Sequence, residues 1–205
     1  TEVSTTVVCK EQIKKLIDLQ PINKTVNLLG MSYSDYKNKI TVKDCTTISN
    51  YIRGVCRKYD AKSVDVMYTF PKTLSTTARK GGKKISPIGF REYKVPKLDA
   101  DGNFVYDKLD KQVFDSLPCW LASSTRATNN YSFKWCLVHC YNRYPNLAVD
   151  SYLKDYQCSI ARNVFALSEM LQWIWRSRIR NGEPIVLAIA SQRMHNLFLD
   201  WLNQD

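Results

Sequence analysis

Apolar side chains recur three and four residues apart in some stretches of this chain and run together in others. Ile13, Leu16, Ile17 and Leu19 share one side of a short helix predicted over residues 9–19, which Pro21 ends. Ile48, Tyr51, Ile52 and Val55 repeat that spacing over 46–59, where Asp44 or Thr46 can cap the first turn. The strongest helical pattern covers 166–181 and stops before Asn181–Gly182. A closing helix follows over 193–202, and 147–156 are weakly helical. Four compact apolar runs read as strands: residues 63–70, 119–123, 134–141 and 184–191. Residues 25–30 read as one more short strand, and 32–40 as a small helix or irregular chain.

From residue 46 the order is helix, strand, long excursion, strand, strand, helix, strand, helix. That order predicts a three-layer α/β domain with a mostly parallel sheet over 46–205, after an N-terminal helical lead-in over 1–45. The excursion, about 71–116, is the least periodic part. It holds a basic, glycine-containing loop at 77–84 and an Asp-Gly turn within 98–107, so an inserted hairpin or a surface excursion is expected. Ligands of such sheets bind beyond the carboxyl ends of the strands. The loops at 124–131 and 142–146 follow predicted strands and are expected there.

Charge narrows the partners. The 205 residues carry 30 Lys and Arg against 19 Asp and Glu, a net charge of +11 that favours polyanions. No run approaches 18 apolar residues, so no membrane partner is expected. The first residues lack a signal-peptide pattern and an initiator Met, which fits a processed chain or part of a longer one. Seven irregularly spaced cysteines suit free thiols in a reducing compartment, hence the cytoplasm, or host cytoplasm for a viral protein.

Candidate chemistry concentrates late in the chain. On a continuous helix, Leu167, Met170, Leu171 and Ile174 share one face, and Glu169, Gln172, Arg176 and Arg180 share the opposite one. Two planar guanidinium groups beside an amide suit phosphate oxygens. Arg178 falls on the apolar side and needs a defined partner. Thr125, Arg126, Thr128 and Asn129 form a hydroxyl- and amide-rich loop suited to a phosphate or ribose. Arg79, Lys80, Lys83 and Lys84 form a loop able to follow a phosphate chain, and Tyr131 is a candidate for stacking on an unpaired base. Cys136, His139 and Cys140 read as buried strand positions, and no metal site is assigned.

Residues 172–180, QWIWRSRIR, resemble motif VI of superfamily 2 helicases: Gln172 and Arg176 match its first two anchors. STRATNNY at 124–131 resembles the motif V loop, and 63–70 stand in the place of the motif IV strand. Together with NRYP and IASQRM, these segments resemble helicase-like replication proteins of phages and plasmids. The resemblance implies the second RecA-like domain of a nucleic-acid-dependent ATPase, with Arg176 as the phosphate-contacting arginine. Ile179 occupies the place of the next family arginine, leaving Arg180 or Arg178 to replace it. Gln172, Arg178, Thr125, Arg126, Thr128 and Asn129 would line the nucleotide. The sequence has no Gly-Lys-Ser/Thr phosphate loop and no DExD/H box, so ATP and Mg²⁺ are expected only with a complementary first RecA-like domain, in the rest of the chain or on another subunit. DNA or RNA is the expected partner. The competing readings are a non-catalytic DNA- or RNA-binding module and an assembly protein of a virus or mobile element.

Overall fold

A computed structural model describes residues 10–74, 82–125 and 130–204. In chain order the strands are β1 (Ile17–Leu19), β2 (Val66–Thr69), β3 (Glu92–Pro96), β4 (Phe114–Pro118), β5 (Cys136–His139) and β6 (Ile185–Ile189). The helices are α1 (Lys10–Leu16), α2 (Lys24–Asn27), α3 (Tyr33–Asn38), α4 (Val42–Lys58), α5 (Leu147–Asp155), α6 (Arg162–Ile174) and α7 (Gln192–Asn203). Four strands form a parallel sheet in the order β1-β6-β5-β2, while β3 and β4 pair antiparallel beside it. Every residue of β2, β5 and β6 is buried, as a sheet covered on both faces requires.

Alternation along these strands divides the apolar residues between two cores. Val66, Tyr68, Cys136, Val138, Cys140, Ala188 and Ala190 join Ile48, Ile52 and Cys56 of α4 on one face. Met67, Leu137, Ile185, Leu187 and Ile189 join Met170, Trp173 and Ile174 of α6, Phe198 of α7 and Ile13 of α1 on the other. The result is a three-layer α/β sandwich. The parallel registers Met67↔Leu137 and Leu137↔Leu187 hold both patterns in phase. Residues 10–45 belong to this same body: β1 supplies an edge strand, and Val26, Met31, Tyr36 and Ile40 enter the α4 core.

Local chemistry sets several boundaries. Thr41 caps α4 in a reciprocal box with Asp44, so the helix begins before Thr46. Asn23 caps α2 within the stretch expected to be a strand, and Gly30 at φ 74° turns the chain after it. The end of the predicted first helix instead becomes β1, because Ile17, Asp18 and Leu19 pair with Ile185, Val186 and Leu187. The long predicted helix ends at Ile174. There the Ser177 amide and hydroxyl both donate to the Ile174 carbonyl, and the Arg178 amide donates to Lys134 O. A 3₁₀ turn at Arg178–Asn181 follows, closed by Gly182 at φ 75°.

The β3–β4 pair continues into a ribbon with two similar turns. Asp99 accepts from the amides of Asp101 and Asn103, and eight residues on Asp107 accepts from those of Leu109 and Lys111. The ribbon is tied to the sheet by buried Lys134, whose ammonium lies 3.3 Å from the Tyr93 ring centroid.

Candidate nucleic-acid interface

Helix α4 runs antiparallel to β5. Its last turns bring Cys56 to Cys136, at the amino end of the strand, and its first turns bring Cys45 near Cys140, at the carboxyl end. Tyr36 of α3 donates its hydroxyl to Cys140 O at 2.5 Å. The loops leaving β1, β2, β5 and β6 therefore gather on one edge with the amino ends of α4 and α7.

That edge is strongly basic. The chain leaving β2 carries Lys72, then returns with Lys83 and Lys84, both half-buried. Two backbone amides fix this return: Ile85 N donates to Leu74 O (3.1 Å) and Ser86 N to the Ser49 hydroxyl of α4 (2.9 Å). Lys43 stands in the first turn of α4. The loop after β5 brings Arg143, whose Nη2 donates to Glu169 Oε2 of α6 at 2.9 Å, with the guanidinium 5.0 Å from the Tyr141 ring centroid. Arg162, at the start of α6, pairs at 2.8 Å with buried Asp150 of α5 while about half of its side chain stays exposed. Arg193 is the clamp of the edge. Its terminal nitrogens donate to Asn142 Oδ1, Arg143 O, Arg162 O and Asn163 Oδ1, and it lies 4.4 Å from the Tyr144 ring centroid.

Below this rim, two polar side chains reach the same face of the sheet. Thr69 and His139 are paired in register, fully buried, and the Thr69 hydroxyl and both His139 ring nitrogens make no hydrogen bond. His139 packs edge-on against Trp173 at 5.3 Å. Burial, reinforced by the Arg143 charge, pushes its pKa down to about 3, so the ring is neutral at physiological pH. Cys136 and Cys140 point to the opposite face, and no group of three metal-capable side chains exists among the described residues.

The structure distributes the sequence-derived candidates over both ends of the sheet. Gln172 is exposed on α6 and donates to Ser168. Because α6 ends at Ile174, Arg176, Arg178 and Arg180 do not continue its stripe. Arg176 is buried just beyond the helix, Arg178 donates from Nε to Pro184 O, and Arg180 is exposed. These three precede β6, so they belong to the amino edge. Thr125 closes a turn onto Ala122, after the chain has run parallel beside β2 through the Tyr68–Trp120 bridge. Tyr131 is half-buried, on the return towards β5, and packs against the α6 core. Arg79, Lys80, Arg126, Thr128 and Asn129 lie outside the described residues. Sequence reasoning passed over Lys43 and Arg162, and met Arg143 and Arg193 only inside the segments NRYP and IASQRM, without a role of their own. The signal for Arg143 was the turn at 142–146 beyond a buried strand; the ion pairs of Arg143 and Arg162 had no local signal.

Comparison with known proteins decides the family. The model of the YonV C-terminal Rossmann-like domain matches residues 11–202. The chain belongs to that family. Its three-layer, mostly parallel α/β architecture is the Rossmann-like fold the family name describes. One relative is the SPbeta prophage-derived uncharacterized protein YonV of Bacillus subtilis (strain 168), 49% identical over 83 residues. That match spans 40% of this chain and 20% of the relative. No solved structure matches. No helix among the described residues is long and apolar enough to cross a membrane.

Proposed function

We propose that this Rossmann-like domain is a nucleic-acid-binding module of a phage-associated protein, and that its basic carboxyl edge is the binding surface. The observation that carries the reading is convergence. Lys72, Lys83 and Lys84 after β2, Lys43 on α4, and Arg143 and Arg162 after β5 come from separate segments to one edge of the sheet. An overall charge of +11 supports the same partner. Asp150 and Glu169 hold Arg162 and Arg143 by one terminal nitrogen each, which keeps both guanidinium groups at this edge for phosphate oxygens. Tyr144, exposed and backed by Arg193, offers an aromatic face to an unpaired base.

The helicase-domain reading depended on Gln172, Arg176 and Arg180 sharing one helix stripe that faces the loop at Thr125. With the helix ended at Ile174, Gln172, Arg176 and Arg180 do not share one helix face, and residues 126–129 of that loop lie outside the described residues. The module is therefore read as a recognition element, with any ATP turnover belonging to other parts of a larger assembly.

The test is hydrogen-exchange footprinting of the chain with a single-stranded oligonucleotide at low salt. Slowed exchange at 41–46, 83–86 and 142–146 is the expected result. Slowed exchange confined to the 97–113 ribbon, or none anywhere, overturns the assignment.

A further inference from the structure

On the opposite edge, between the amino ends of β1 and β6, lies a cleft of about 350 Å³, within the ~300–1,000 Å³ range of small-ligand sites. Trp135, on the approach to β5, forms one wall, and Pro184 and Ile185 form another. Lys15, the last cation of α1, and Arg178 both line it. Their chemistry differs from that of the carboxyl edge. Lys15 is exposed and has no ion-pair partner among the described residues. Among the described residues Arg178 spends only its Nε, on Pro184 O, and its guanidinium carbon sits 5.4 Å from the Trp135 ring centroid. Among the described residues the cleft holds one carboxylate, Asp18, and both of its oxygens are engaged, one by Gln20 Nε2 at 2.8 Å and the other by the Tyr59 hydroxyl at 2.7 Å.

We infer that this cleft is a nucleotide site, taking a flat base against Trp135 and its phosphate between Lys15 and Arg178. The reasoning runs through complementarity. An indole wall gives stacking surface to a planar ring. Two cations on one rim, one a point charge and one a planar fork with its terminal nitrogens uncommitted, suit a phosphate group. An aliphatic anion would leave the indole unused, and a neutral aromatic would leave two charges facing an empty rim. The remaining polar feature, Asp18, carries a negative charge but is turned to its own donors, Gln20 and Tyr59, so the phosphate is placed on the Lys15 and Arg178 rim. The position also makes the site independent of the surface proposed above: it lies at the other end of the strands and shares no residue with it. The nucleotide unit can be a free mononucleotide or one unpaired residue of a strand, since both present the same base and phosphate.

The experiment uses the chain as it stands, titrated with AMP and, in parallel, with a five-residue deoxyadenosine oligonucleotide, reading tryptophan fluorescence excited at 295 nm. AMP is expected to quench saturably, with the quench lost in Trp135→Phe and the dissociation constant raised at least tenfold in Lys15→Glu and in Arg178→Gln. Lys15 is exposed, so its variant keeps the fold whatever Arg178→Gln does; thermal melting of each variant verifies this. The oligonucleotide arm separates the sources: weakening of both probes by Lys15→Glu marks a strand residue as a ligand, and weakening of AMP alone marks a free nucleotide. Quenching that is unchanged in Lys15→Glu, the absence of any saturable quench, or equal competition by polyglutamate overturns the inference. Because AMP does not need the carboxyl edge, AMP binding without oligonucleotide binding would sink the proposed function and leave this site standing.

Discussion

Lys134 is the most exposed to test of the individual residues, because it is a buried cation whose nearest neighbours are rings, thiol and a carbonyl. Its Nζ lies over Tyr93 and 3.5 Å from Ser63 O, and burial pushes its pKa from 10.5 down to about 8. In the unfolded chain the same amine binds its proton up to about pH 10.5, so between pH 8 and 10.5 the unfolded state holds more protons. Stability contributed at this position therefore rises with pH across that window and is flat below it. Nearby Cys119, pushed up to about 11 by burial, acts in the opposite direction as the pH passes 9. The clean measurement is the difference in unfolding free energy between wild type and Lys134→Met. That difference should shift in favour of wild type from pH 8 to 10.5; a constant difference contradicts a depressed lysine.

At the scale of elements, the α4 helix was legible from its apolar period, but its cap was not: the sequence offered Asp44 or Thr46, and the chain uses Thr41 with Asp44 in the first turn. Thr41 and Asp44 close both halves of a capping box on α4, and Thr41→Ala should cost about 1 kcal/mol in denaturant melts, with the slope of the transition unchanged. Equal stability of the variant would show that the box contributes nothing. The buried strands were equally plain, since Val186–Ile189 and Cys136–Val138 have apolar residues on both faces. What could not be read was set by distant partners. Ile17–Leu19 have helical spacing with Ile13 and Leu16, yet parallel pairing to β6 outweighs a helix turn of similar intrinsic worth. The helix through Ile174 carries no breaker until Gly182, and its early end follows from Lys134 O capturing the Arg178 amide, a contact across 44 positions. That one contact removes the arginine stripe that a continuous helix would carry, and it delivers Arg178 to the cleft beside Trp135. On the other edge, the basic loop at Lys83–Lys84 was recognised from its composition, but its anchoring to Ser49 and its company with Arg143 and Arg162 are products of the sheet order.

The whole molecule is a Rossmann-like sandwich with two charged ends. Helices on both faces bury the sheet, which leaves its edges as the surfaces where polar chemistry collects. The carboxyl edge combines half-buried lysines, paired arginines and an exposed tyrosine, and the central claim is that it meets the phosphate backbone of a nucleic acid. The most direct measurement is the affinity for a fluorescent single-stranded oligonucleotide by anisotropy, over a series of salt concentrations, for wild type and for Lys83→Gln with Lys84→Gln. The account predicts a linear fall of log affinity with log salt, and a slope shallower by about 1.4 in the double variant, from ~0.7 per phosphate contact on a single strand. A salt-independent affinity, or an identical slope in the two proteins, would contradict it.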